Sequence, residues 1–179
     1  MIWSPFTERK DKWERLSFSG GIILPTGESA DQPLVGETAP DVFQLGTGAF
    51  QLMLGSSYVW SANDWDYRLD LNAVLPLNES SDGFTPASSF SGTMSAGKYI
   101  NDDVGFSMGL NLTYSGPDEF REEDLITDYT SLTFKTGVFW QLKDRLLLTS
   151  SVSLPLYQKV NQTQLAAGPE FQIGLNRSF

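Results

Sequence analysis

Apolar and polar residues alternate with a period of two along most of the chain, which is the period of a β-strand with one apolar face. In the clearest run every second residue from Trp65 to Leu77 is apolar, and Asp66, Arg68 and Asp70 lie between them. One weaker run changes phase near Lys98 and Tyr99, where we expect a β-bulge. Together with Trp65–Leu77, the alternating runs are Leu16–Leu24, Phe50–Trp60, Phe90–Ala96, Val104–Tyr114, Leu132–Leu142, Leu146–Leu156 and Ala167–Phe179. The sequence therefore predicts an all-β fold of eight strands.

The links between these runs alternate between short and long, as in an antiparallel meander with turns at one end and loops at the other. The short links are 61–64, 101–103 and 143–144, and the long links are 25–49, 78–88, 115–128 and 158–164. Outer-membrane barrels have short periplasmic turns and longer extracellular loops, and they cross the membrane with strands of about ten residues. We therefore expect an eight-stranded antiparallel transmembrane β-barrel over 13–179, with 1–12 as an amino-terminal segment in the periplasm.

The carboxy-terminal strand supports a location in the bacterial outer membrane. An alternating strand that ends in Phe resembles the terminal signature that the barrel-assembly machinery reads, and the residues that carry it here are Phe171, Ile173, Leu175 and Phe179. The implied partners are outer-membrane lipid, lipopolysaccharide and that machinery. Export would require a signal peptide, and we expect the native precursor to carry one that is absent from this chain. The alternative fold is a soluble eight-stranded barrel of lipocalin type, with the apolar face inside.

The polar face of the predicted barrel carries both signs of charge among many Gly, Ser and Thr residues. Eight residues form this predicted lumen polar cluster: Arg15, Asp66, Arg68, Asp70, Lys135, Gln141, Glu170 and Gln172. Because an eight-stranded barrel is just wide enough for its side chains, we expect a paired, hydrogen-bonded plug, with a narrow polar passage as the alternative. Asp66 and Asp70 share a strand face at a separation that would allow acid/base chemistry, but Arg68 between them favours a salt-bridge ladder.

The excess negative charge is confined to the long links. They hold 12 acidic and two basic residues, whereas the rest of the chain is balanced, so the formal net charge of −10 belongs to one end of the predicted barrel. The densest part is an acidic loop cluster formed by Asp118, Glu119, Glu122, Glu123, Asp124 and Asp128. We expect a solvated loop surface, with Ca²⁺ or Mg²⁺ binding as the alternative. A chain of this charge is not expected to bind nucleic acid.

Histidine and cysteine are both absent from the sequence. Without them there is no Ser/His or Cys/His catalytic pair, no disulfide, and no zinc or haem site built from the usual ligands. We therefore expect a protein that is not an enzyme, with no catalytic residues, no metal site and no cofactor.

Three segments of the first hairpin resemble the transporter family named for the meta-pathway of phenol degradation. They are Gly21–Glu28, which contains Leu24-Pro25-Thr26-Gly27, then Phe43–Phe50, which contains Leu45-Gly46-Thr47-Gly48, and Leu54–Tyr58. The resemblance covers about residues 20–60 and implies an outer-membrane barrel. It also implies passage of aromatic compounds.

The sequence thus leaves two functions open. One is assisted passage of small, apolar or aromatic molecules across the outer membrane. The other is a non-conducting barrel that anchors or scaffolds a cell-envelope complex through its loops or through residues 1–12. Passage requires an opening in the lumen or the wall, whereas an anchor requires a partner.

Overall fold

The structure of the protein is a computed structural model. It describes residues 2–3, 6–9, 12–25, 48–80, 83–121, 123–143, 146–160 and 166–177. Within these ranges every regular element is a β-strand, and no helix of the described residues is long and apolar enough to cross a membrane.

Eight long strands form one antiparallel sheet in which each strand pairs with the next along the chain. In chain order the elements are β1 (Ile2–Trp3), β2 (Phe6–Arg9), β3 (Lys12–Ile23), β4 (Gln51–Ala62), β5 (Trp65–Pro76), β6 (Phe84–Thr85), β7 (Ser89–Tyr99), β8 (Val104–Ser115), β9 (Glu119–Phe120), β10 (Glu123–Asp124), β11 (Tyr129–Lys143), β12 (Leu146–Val160) and β13 (Glu170–Arg177). The eight are β3, β4, β5, β7, β8, β11, β12 and β13. The prediction of an all-β fold with eight antiparallel strands is confirmed.

The strand bounds also reproduce the alternation of short and long links. The β4–β5 turn consists of Asn63 and Asp64, both at positive φ, which is the backbone of the tight hairpin turns that match strand twist. The β7–β8 turn is closed by Asn101, whose side-chain oxygen accepts hydrogen bonds from the backbone N–H of Asp103 and Val104 (3.0 and 2.8 Å). The other end of the sheet carries the long links 24–50, 77–88, 116–128 and 161–169.

The pairing register sorts the side chains into two faces. Residues directly opposite each other in neighbouring strands share a face. The apolar face includes the row Phe18, Ser56, Leu71, Gly92, Leu112 and Leu132. The polar face includes a row that we call the charged row: Arg15, Val59, Arg68, Ser95, Gly109, Lys135, Ser153 and Glu170.

The β-bulge expected near Lys98 and Tyr99 is absent from β7. Its register with β8 is unbroken from Ser89 to Tyr99, so Lys98 lies on the apolar face and Tyr99 on the polar face. Lys98 is tolerated there because it is near the end of the strand and its Nζ lies 3.7 Å from Oδ2 of Asp64 in the adjacent turn. The sequence loses its alternation here because both residues are of the opposite type to their face.

The first and last of the eight strands differ in what pairs with their outer edges. The outer edge of β3 pairs with β1 and β2, through Ile2 with Ser19 and Thr7 with Glu14. For β13 the only partner among the described residues is β12. The pairing of β13 with β3 that closes an eight-stranded barrel is therefore not among the described pairings.

Two of the long links are tied together into a small sheet of their own, in the order β10-β9-β6. The carboxylate of Asp118 accepts a hydrogen bond from the backbone N–H of Ala87 (2.7 Å), and the backbone N–H of Arg121 donates to the carbonyl of Gly83 (2.7 Å). Links 77–88 and 116–128 thus form one folded unit at the long-link end of the sheet.

Candidate functional site

All eight residues of the predicted lumen polar cluster lie on the polar face, in a few of the rows of paired residues that cross the sheet. Four of them, Arg15, Arg68, Lys135 and Glu170, belong to the charged row. One level nearer the short turns, Asp66 and Gln172 share a row with Gly97, Ser107, Gly137 and Ser151, which we call the small-residue row. Asp70 lies one level towards the long links, and Gln141 lies close to the turns. The cluster is thus a band across the sheet with two separate groups of contacts.

The first group lies on β3, β4 and β5. Nε of Arg68 lies 2.6 Å from Oδ2 of Asp70, and the Arg68 side chain is 59% exposed. Asp66 instead accepts a hydrogen bond from Oγ of Ser61 at 2.5 Å. The guanidinium therefore pairs along its own strand with one carboxylate, and the ladder expected through both Asp66 and Asp70 is formed only on the Asp70 side. The pair borders a groove of about 580 Å³ that also contacts Arg15.

The second group lies on β11 and β13, on either side of β12. Nζ of Lys135 donates to Oε1 of Gln172 at 3.4 Å, and Nε2 of Gln172 donates to Oε1 of Glu170 at 2.6 Å. Gln172 therefore links a cation and an anion across the intervening strand. Lys135 and Glu170 border a smaller cavity of about 270 Å³.

Between the two groups, the polar faces of β7 and β8 carry no charge. Their residues in the charged row are Ser95 and Gly109, and further along Asn111 donates a hydrogen bond to Thr93 (2.8 Å). Each charged group balances its own charge, with two cations and two anions in the first and one of each in the second. No ion pair between described residues joins the two groups, so the contacts run along the wall.

Among the described side chains the register places four aromatic residues on the polar face, namely Trp13, Tyr99, Tyr129 and Phe139, and this placement was not identified from the sequence. Tyr99 and Phe139 share a row with Gly105, Thr149 and Gly174, two levels below the charged row, and we call it the aromatic row. Phe139 is hidden in the sequence because it stands between Val138 and Trp140, so the apolar alternation passes over it. Only the register shows that Phe139 and Trp140 lie on opposite faces.

The apolar face is largely uncovered by protein. Among the described residues the buried apolar side chains are Ala49 and Pro86, both outside the long strands, whereas Leu71, Phe90 and Ile173 are 48, 48 and 66% exposed. Soluble domains bury such side chains, and an uncovered apolar surface of this extent marks a contact with lipid or with another protein.

Aromatic rings collect on this face close to the short turns. Trp60 stacks on Tyr58 and on Tyr67, with 5.0 Å between ring centroids in each pair, and Trp65 meets Phe106 edge to face at 5.3 Å. The Tyr58 hydroxyl also donates to the carboxylate of Glu14 (3.1 Å) on the same face. Amphipathic rings with polar partners are typical of a membrane–water interface.

The two remaining predicted sets are placed only in part. In the acidic loop cluster, Glu119, Glu123 and Asp124 are exposed, and Glu122 lies outside the described residues. The side-chain carboxylate of Asp118 accepts a hydrogen bond from the backbone N–H of Ala87. No three carboxylates of the described residues converge on one point that could hold a metal ion. In the terminal signature, Phe171, Ile173 and Leu175 are on the apolar face and exposed, and Phe179 lies outside the described residues.

The chain is similar in structure to an outer membrane channel from Pseudomonas putida F1, known from its crystal structure. The TM-score is 0.62 at 15% sequence identity, and the match covers 92% of this chain and 61% of that chain. The chain thus spans less than two thirds of the channel's length. No protein-family model and no curated protein matches the sequence. The likeness shows an all-β fold of the outer-membrane channel kind, without the specific transporter family that the first hairpin resembles.

Proposed function

We propose that the protein is a small β-barrel of the bacterial outer membrane whose polar face lines a passage for small molecules. The observation that carries the proposal is the distribution of charge on the apolar face. Among the residues whose side chains the structure describes, charges on that face lie only near strand ends, at Glu14, Lys98 and Arg177 towards the turns and at Lys159 towards the long links. The middle of the face is a continuous uncharged band.

The height of this band matches a membrane. On β5 it extends over ten residue steps, from Trp65 to Leu75. At 3.3 Å per residue and a tilt of 45° this is roughly 23 Å, close to the apolar band of about 25 Å around outer-membrane barrels. Both the band and the likeness to an outer membrane channel support a transmembrane sheet, and they favour it over a soluble barrel with its apolar face inside.

The proposed barrel closes by pairing β13 with β3. These two strands run in opposite directions, so this closure keeps every neighbouring pair antiparallel, as in bacterial barrels. Pairing β13 with β2 would create one parallel pair, since β2 is antiparallel to β3. Closure on β3 therefore requires residues 1–12 to leave that edge and take the periplasmic position predicted from the sequence.

The grooves beside both charged groups favour a passage over a filled plug. Arg68 and Lys135 are exposed and make their described polar contacts along the wall. The proposal implies contact with outer-membrane lipid and lipopolysaccharide, insertion by the barrel-assembly machinery, and a role that is not enzymatic.

Planar-bilayer recording of the purified, refolded chain tests the passage. We expect steady single-channel steps in potassium chloride. A correctly folded barrel that inserts but stays silent would refute the proposal.

A second candidate function is an anchor for a cell-envelope complex. It is favoured by the folded unit of links 77–88 and 116–128, which presents an acidic surface built around β9 and β10. Affinity purification in mild detergent separates the two functions. A stoichiometric envelope protein that is lost when Glu119, Glu123 and Asp124 are replaced with Gln or Asn would favour the anchor.

A further inference from the structure

On β7 and β11 two aromatic rings in contact with each other interrupt the polar face near the short turns; Trp13 of β3 lies on the same face. The ring centroids of Tyr99 on β7 and Phe139 on β11 are 4.9 Å apart, and the ring planes meet edge to face at 79°. Because β8 separates the two strands, their backbones are about 9.6 Å apart, twice the spacing of neighbouring strands. The rings therefore lean towards each other across β8.

Gly105 of β8 lies directly between them and is buried. A Cβ added at this position would overlap Cζ and Cε2 of Phe139. Its φ is not in the left-handed region, so backbone conformation does not require a glycine, although an added Cβ would also lie 2.9 Å from the carbonyl oxygen of Lys98. The glycine is required here because the Phe139 ring occupies the space of a side chain.

The rows next to the aromatic row on the polar face carry smaller or charged side chains. The adjacent small-residue row has only Gly or Ser on β7, β8, β11 and β12, and the charged row follows beyond it. Tyr99 is 57% exposed, so its ring projects from the wall. In a closed barrel with the polar face inside, these two rings are the bulkiest apolar groups that the described strands β7, β8 and β11 present to the lumen at the turn end.

We propose that Tyr99 and Phe139 form an aromatic constriction of the passage at the short-turn end, and that Gly105 is the positioning residue that holds the Phe139 ring back against the wall. The proposal rests on the proposed channel function. A side chain at position 105 pushes the ring into the passage, whereas removal of the ring widens it.

Single-channel recording in potassium chloride tests the constriction with three variants and one matched control. We expect Gly105→Ala to lower the conductance, Phe139→Ala to raise it, and the double variant to return to the Phe139→Ala value. The control is Gly109→Ala, because a Cβ at Gly109 meets a β7 backbone carbonyl at 2.9 Å, as at Gly105, but no ring. Two results would overturn the proposal. One is the same conductance in Gly105→Ala and Gly109→Ala. The other is a conductance of the double variant that is lower than that of Phe139→Ala.

A second readout separates this proposal from the channel itself. With 4-fluorophenylalanine at position 139, we expect the ¹⁹F resonance to shift on Gly105→Ala and to stay unchanged on Gly109→Ala. A conducting wild type with no ¹⁹F difference overturns the role of Gly105 and leaves the channel intact. A silent wild type overturns both the constriction and the channel, even where the ring contact is confirmed by ¹⁹F.

Discussion

A charge placed on the apolar face should be far more costly than the same charge placed on the polar face of the same strand. Leu71 and Asn72 are adjacent on β5, so Leu71→Arg and Asn72→Arg introduce the same side chain at the same depth on opposite faces. Leu71 is six residues beyond Trp65, which places it roughly 14 Å from the aromatic end of the band, near the midplane.

The expected loss for Leu71→Arg is about 2–4 kcal/mol of folding free energy, because the guanidinium would sit in hydrocarbon near the bilayer midplane. Asn72→Arg should cost within about 0.5 kcal/mol of zero, since its side chain would point into the hydrated polar face. The measurement is reversible guanidinium unfolding in phospholipid vesicles, followed by tryptophan fluorescence, with the m-value of both variants compared with wild type.

The reverse order would refute the assignment of the two faces. A soluble barrel of lipocalin type encloses its apolar face, and its polar face is the solvated exterior. In that case the wild type would fold without lipid or detergent, and lipid would have no effect on the cost of Leu71→Arg.

Three further outcomes follow from the same geometry. Asp70→Asn should leave Arg68 without its carboxylate partner, so the reversal potential measured in a salt gradient should shift towards anion selectivity. Asp66→Asn should shift the reversal potential less, because the Asp66 carboxylate is hydrogen-bonded to Ser61. Equal shifts in the two variants would contradict the pairing of Arg68 with Asp70. Cysteines at Thr7 and Glu14 are opposite each other when β2 lies on β3, so the closed barrel predicts that they stay uncrosslinked in vesicles, and rapid crosslinking there would argue against closure on β3. Millimolar Ca²⁺ should leave the melting temperature unchanged, because the acidic loop cluster brings no three described carboxylates together; a clear rise would contradict this.

The strands and their faces could be predicted from the sequence because a half-buried strand has a period of two. Trp65–Leu77 shows this directly, and the alternation of link lengths fixed the order of turns and loops. The small sheet of β6, β9 and β10 could not be predicted, since each of its strands has only two residues and no period.

The contacts of the polar face also depend on more than the pattern. The eight cluster residues were predicted to share a face, but their levels follow from the pairing register, which the composition of each strand does not encode. The register brings Lys135 near Gln172 across β12, and it places Ser61 opposite Asp66, whose carboxylate accepts a hydrogen bond from the serine hydroxyl. Tyr99 was missed because it breaks the local alternation of β7. Phe139 was missed because it stands between the apolar residues Val138 and Trp140.

The central claim is that the polar face lines a water-filled passage and the apolar face contacts lipid. Because this chain has no cysteine, single cysteine substitutions in it can be labelled without background. Ser95→Cys lies in the charged row, and Met94→Cys is its neighbour on the apolar face, where the native side chain is 54% exposed. During single-channel recording, a cationic methanethiosulfonate reagent should reduce the current stepwise in Ser95→Cys and leave Met94→Cys unchanged. No current, an unaffected Ser95→Cys channel, or block of Met94→Cys would contradict the account.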